Sequence, residues 1–135
     1  MPRTSLEIVE SWISAVNAVD ADRAASLATA SVRIVGPRGV AEGHTVLRQW
    51  IAHAGASFTT HAGYARGPAV VLAQRAEWRD ATTGEVTGAA DVATRFVVQP
   101  ELIAEIQRYD DLTTALADAG LTSADRRFAV ASPAN

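Results

Sequence analysis

The sequence has no cysteine and no lysine in 135 residues; all 12 basic residues are arginine. Without cysteine there are no disulfides, no thiolate metal ligands and no thiol nucleophile. Without lysine there is no Schiff-base amine and no P-loop lysine, so aldolase-like, pyridoxal-dependent and P-loop nucleotide-binding chemistries are excluded. No apolar run approaches the ~18 residues of a membrane-spanning helix. A basic surplus is also lacking. The formal net charge is −3 and the pI near 5.5, so neither a nucleic acid nor a membrane is an expected partner. The three histidines, at 44, 53 and 61, fall on different predicted elements and match no zinc spacing, so no metal is expected.

What remains reads as one globular domain, 48% hydrophobic and 20% charged. A chain of this length buries roughly 65–70% of its unfolded surface, enough for one core and not for two. A single domain is expected over residues 1–122, followed by a loose, Ala-rich tail at 123–135. Met1-Pro2-Arg3-Thr4 leads into a helix rather than a secretory signal, which makes the cytoplasm the expected location.

Helices come first. Thr4 and Glu7 form a capping box, and Leu6, Val9, Trp12, Ile13 and Val16 follow at helical spacing. Asp20 or Asp22 caps a short Ala-rich helix reaching about Thr29, and Val32–Val35 reads as a short strand stopped by Gly36-Pro37-Arg38-Gly39. A third helix is predicted from about Gly43 to Ala54. The pattern then changes to strands over Ser57–Tyr64, Ala69–Arg79, Val86–Val98 and Leu102–Tyr109, the last three forming an antiparallel meander. Asp111 caps a final helix, Leu112–Ala119, and Gly120 stops it. Helices followed by a sheet give an α+β class, with the helices on one sheet face.

Three stretches resemble the nuclear transport factor 2-like (NTF2-like) superfamily in its SnoaL-like branch, related to polyketide cyclases and ketosteroid isomerases. They are Ala15–Asp20, Gly36–Val40 with Glu42-Gly43, and Phe96–Val98 through Ile103 to Arg108–Asp111. The likeness covers about residues 5–121. It implies a cone in which three N-terminal helices pack on a curved, mainly antiparallel sheet around an apolar pocket. It also implies a homodimer.

Strand alternation then sorts the side chains. Leu72, Gln74, Ala76 and Trp78 share the inner face with Val92, Thr94, Phe96 and Val98, and with Ala104, Ile106, Arg108 and Asp110. Arg75, Glu77, Arg79, Asp91, Arg95, Glu105, Gln107 and Tyr109 fall on the outer face, where the opposite charges are placed to pair. Expected pocket-lining residues are Trp12, Val32, Ile34, Gly36, Trp50, Gln74, Trp78, Thr94, Phe96, Ile106 and Arg108. Asp110 and His61 are the candidate acid/base groups: Asp110 as a base two residues from Arg108, His61 as the histidine able to reach the pocket rim. An ion pair of Arg108 with Asp110 and a purely structural His61 are the competing readings. His44, at a helix start, is expected to be exposed.

The resemblance also allows the family's chemistries to be compared residue by residue. The aspartate base of ketosteroid isomerases corresponds to Gly36, their helix-one tyrosine to Trp12, and their protonated aspartate to about Thr94, so that proton-transfer set is missing. The Asp-Arg-Asp set of limonene epoxide hydrolases finds Arg108 and Asp110, but Asp91 falls on the wrong face. For a scytalone dehydratase-like site only Tyr64, Tyr109 and His61 are present. The expected function is binding of a small hydrophobic or aromatic metabolite, with any catalysis of cyclase, isomerase or hydrolase type and independent of cofactors. The alternative is a non-catalytic ligand-binding or dimerisation module.

Overall fold

The computed structural model describes residues 4–36, 39–80 and 82–129. Residues 1–3, Pro37, Arg38, Ala81 and residues 130–135 lie outside the described residues. Helix α1 (Ser5–Asn17) starts on the expected capping box: the Glu7 backbone N–H donates to Thr4 Oγ1 (3.1 Å) and the Thr4 N–H donates to Glu7 Oε1 (3.0 Å). It ends in a Schellman motif, with Val19 N–H bonded to the Val16 carbonyl and Asp20 N–H to that of Ala15. The motif holds Val19 at φ 55°, a left-handed conformation that costs an L-residue about 1–2 kcal/mol.

Asp20 caps α2 (Ala21–Ser26), which is shorter than expected because Ala28 already belongs to a strand. That strand, β1 (Ala28–Gly36), turns into β2 (Gly39–Glu42), which the Gly-Pro-Arg-Gly stop signal concealed. Then follow α3 (His44–Ala54), β3 (Ala56–Arg66), β4 (Ala69–Arg79), β5 (Val86–Val98), β6 (Ile103–Tyr109) and α4 (Leu112–Ala119). A 3-10 turn at Ser123–Asp125 leads into β7 (Arg126–Ala129). Part of the segment expected as a loose tail is therefore a strand. Its polar composition hides it, because it sits at the sheet edge beside β3 and needs no apolar alternation.

The seven strands run β2-β1-β6-β5-β4-β3-β7, antiparallel throughout except for the parallel pair β1–β6. Two cores flank this sheet. Ile8, Val9, Trp12 and Val16 of α1, Ala24 of α2, and Leu47 and Ile51 of α3 pack on Val70, Leu72, Phe96, Val98 and Ile106 of the inner face. On the outer face Ala115 of α4, together with Leu121, packs against Ala62, Tyr64, Val71 and Ala93. The helices therefore do not all lie on one face. The Leu112, Ala115, Leu116, Ala119 stripe of α4 needs an apolar surface of its own and finds it across the sheet.

The edge strand β7 is seated by shape. Gly63 of β3 lies opposite Phe128, and a Cβ on Gly63 would stand 2.4 Å from the Phe128 ring. Gly63→Ala is expected to destabilise the protein by about 1–3 kcal/mol through overpacking. Adding Phe128→Ala should recover much of that loss relative to Phe128→Ala alone, and chemical denaturation of the four proteins measures the coupling.

Candidate functional site

The inner face is built around aromatic side chains. Trp12 stacks on Trp50 (ring centroids 6.3 Å apart, planes 7° from parallel) and meets Phe96 edge-on at 5.5 Å. Trp50 continues onto Phe58 at 6.4 Å. Offset stacks and edge contacts of this kind suit the charge distribution of the rings. Trp12 and Phe96 are buried, whereas Trp50 is 37% exposed and marks where the stack reaches solvent. The Trp12 indole N–H is buried with no hydrogen-bond acceptor. Leaving such a donor unpaired costs on the order of 1–3 kcal/mol.

Beside the aromatics runs a buried polar chain. Thr94 Oγ1 donates to Gln74 Oε1 (3.0 Å), and Gln74 Nε2 donates to Thr60 Oγ1 (3.2 Å). Gln74 is 1% exposed, so these partners are what make its burial tolerable. At the sheet end the Arg108 guanidinium lies over the Trp78 ring, 5.8 Å from its centroid.

Of the residues expected to line a pocket, Trp12, Val32, Gln74, Thr94, Phe96 and Ile106 are buried. Ile34 and Trp78 are half-buried, and Trp50, Gly36 and Arg108 are exposed. Arg108 turns to Trp78 and makes no ion pair with Asp110. The reason is local: β6 ends at Tyr109, so the alternation counted to Asp110 stops one residue short.

Asp110 and His61 do meet, in a groove of about 460 Å³ that also takes in Ala73, Gln74, Asp91, Val92, Asp111 and Leu112. Ala73 and Leu112 belong to the outer core and Asp91 pairs with Arg75 (3.4 Å), whereas Gln74 and Val92 are paired inner-face positions, so this groove lies where the sheet ends and touches both faces. His61 reaches it because the β3–β4 register shifts between Thr60 and Ala62. That bulge sends Thr60 to the inner face and Ala62 to the outer one. His44 is not exposed as expected; its ring nitrogen Nε2 lies 3.0 Å from the Ala28 carbonyl and ties α3 to β1.

The outer charges pair as their alternation suggested. Arg75 meets Asp91, Arg79 meets Glu77 at 3.4 Å, and Glu105 bridges Arg95 and Arg33. Burial favours the neutral form of the Tyr109 phenol, and its hydrogen bond to Asp118 (2.8 Å) adds to this, so its pKa is raised. Among the described residues, no cluster of His, Asp and Glu is placed to hold a metal ion. No helix among them is long and apolar enough to cross a membrane.

This architecture recurs in solved structures. An NTF2-like protein of unknown function from Cytophaga hutchinsonii superimposes with a TM-score of 0.70 at 17% identity, over 82% of this chain and 93% of that one. The fold is NTF2-like. A ketosteroid isomerase-like protein from Catenulispora acidiphila, in complex with trimethylamine, gives 0.68 at 23% identity over 88% and 96% of the two chains. The epoxide hydrolase/cyclase-like enzyme SalBIII, described for pyran ring formation in salinomycin, gives 0.70 at 21% over 81% and 92%. No protein-family profile matches the sequence, and no curated protein is significantly similar to it.

Within this NTF2-like fold, sequence reasoning missed Phe58 and Thr60. Both belong to the inner side of β3, and a strand count begun at Ala56 would have placed them there.

Two carboxylates act as local caps. Asp111 accepts from the Thr114 backbone N–H and hydroxyl, and Asp80 from the backbone N–H groups of Thr83 and Thr82; these bonds lower both pKa values from 3.8. A depressed carboxylate contributes stability that is fully present above its unfolded value and is lost as pH falls through the folded one. Between pH 6 and pH 3 the wild type should therefore lose more stability than Asp111→Asn, which keeps a capping oxygen without the charge. Denaturant melts at the two pH values test this, and equal losses would remove the ionised cap from the account.

Proposed function

We propose that this chain binds a small, flat, hydrophobic or aromatic metabolite on the inner side of its cone, against the Trp12–Trp50–Phe58 stack. The observation that carries the reading is the buried Trp12 indole N–H without an acceptor, set in an otherwise apolar aromatic wall. A ligand oxygen is the partner such a donor lacks, and aromatic faces supply most of the contact area. The part-exposed Trp50 gives the ligand a way in.

Binding is favoured over turnover by the candidate acid and base. Asp110 and His61 share a groove at the end of the sheet whose lining includes Gln74 and Val92 but none of Trp12, Trp50 and Phe58, so they would not act on a molecule held against that stack. If the chain is an enzyme, its chemistry is of acid/base type, as befits the isomerase-like and cyclase-like names of its structural neighbours. A homodimer in the cytoplasm completes the proposal. The part of the outer face that α4 leaves uncovered, around Arg33, Arg95 and Glu105, is the surface through which two copies would meet.

Native mass spectrometry after incubation with a metabolite extract tests both parts. The wild type should retain a compound of a few hundred daltons, and Trp12→Phe, which keeps a ring and removes the N–H, should retain markedly less. Retention that is unchanged in Trp12→Phe, or absent in the wild type, would count against the reading.

A further inference from the structure

The central strands β4, β5 and β6 present uncharged side chains to the inner face until Arg108, which stands opposite Thr94. Elsewhere arginines are neutralised: Arg33, Arg48, Arg66, Arg75, Arg79 and Arg95 each pair with a carboxylate. Arg108 makes no hydrogen bond or ion pair with any described residue, although Asp110 is two positions away.

Its guanidinium is held against Trp78 instead, reaching from β6 across β5 to a ring of β4. The stretch of β5 beneath them presents Gly88 and Ala90, side chains too small to come between. A cation over a ring face is fixed in place while its N–H donors stay unspent. The fork is therefore positioned but not used.

Trp78 adjoins the aromatic stack. Phe58 pairs with Ala76, and Trp78 is the next residue on that face of β4. Such a diagonal is within reach of aromatic side chains. From Phe58 the stack runs through Trp50 to Trp12. This wall thus has two open hydrogen-bonding groups, the Trp12 indole and the Arg108 guanidinium, and both are donors. Indole and guanidinium offer no acceptor, so what satisfies them must bring oxygens, and a cation adds a preference for negative charge.

We infer that the ligand of the cone is an aromatic carboxylate. Its carboxylate would take the N–H fork of Arg108, its rings would lie against Phe58 and Trp50, and a second oxygen would meet the Trp12 N–H. Trp78 is a positioning residue that holds the fork. The inference rests on the proposed binding of a flat metabolite at the Trp12–Trp50–Phe58 stack and narrows its chemical class.

Calorimetric titration of the full chain with 6-hydroxy-2-naphthoate tests this, with 6-hydroxymethyl-2-naphthol as a neutral molecule of similar shape. The carboxylate should bind at least about tenfold more tightly than the alcohol. Arg108→Gln should abolish that preference by weakening the carboxylate alone, and Arg108→Lys, which keeps the charge without the planar fork, should fall between. Arg108 is exposed, so both variants should melt like the wild type. Trp12→Phe should weaken both compounds alike. Equal binding of the two compounds overturns the inference and leaves the proposed site standing, as does an Arg108→Gln variant that binds the carboxylate like the wild type. If neither compound binds, the inference and the proposed site fall together.

Discussion

The pairing of β4 with β5 is the constraint on which the remaining structure rests. It runs without a register shift from Ala69 opposite Val97 to Trp78 opposite Gly88, at the centre of the sheet. Because side chains alternate, a slip of one residue in either strand would exchange its two faces. Gln74 and Thr94 would then meet water, and Arg75 or Arg95 would enter the inner core. Burying an unpaired charge costs far more than any single packing contact returns, so this register has no near competitor.

The two faces therefore carry different chemistry. The inner one is aromatic, with a three-residue polar chain joined by two hydrogen bonds and one indole donor left open. The outer one is ionic around Glu105 and apolar under α4. Since α4 comes from the same chain, part of the sheet that would otherwise be bare is already covered. Asp110 and His61 sit together at the end of the sheet, apart from the Trp12–Trp50–Phe58 stack.

How much of this was legible depended on whether an element announces itself by an apolar pattern. The capping box of Thr4 and Glu7, the four long strands and the Asp111-to-Gly120 limits of α4 were all readable, because each rests on a repeated or positional signal. The inner positions of Gln74, Thr94 and Phe96 followed from counting by twos along unbroken strands. The same counting failed at Asp110, which lies beyond the end of β6, and it did not extend to β3, where a bulge at His61 shifts the register. Strands β2 and β7 were missed because short edge strands need neither alternation nor apolar content. The side of the sheet chosen by α4 was not readable, since an apolar helix stripe says that it must be buried but not where.

The parallel contact of β1 with β6 ties Ile34 to Ile106 and Val35 to Gln107, residues far apart along the chain. Closing so large a loop has an entropic cost before the contact returns anything. On the ribosome, then, the early helices and β1 must wait for most of the polypeptide to emerge, with β1 meanwhile unpaired on the side that β6 will occupy. A chain built in this way is most exposed to aggregation during its own synthesis, and slow elongation or a chaperone holding the first forty residues would matter more to its yield than its final stability.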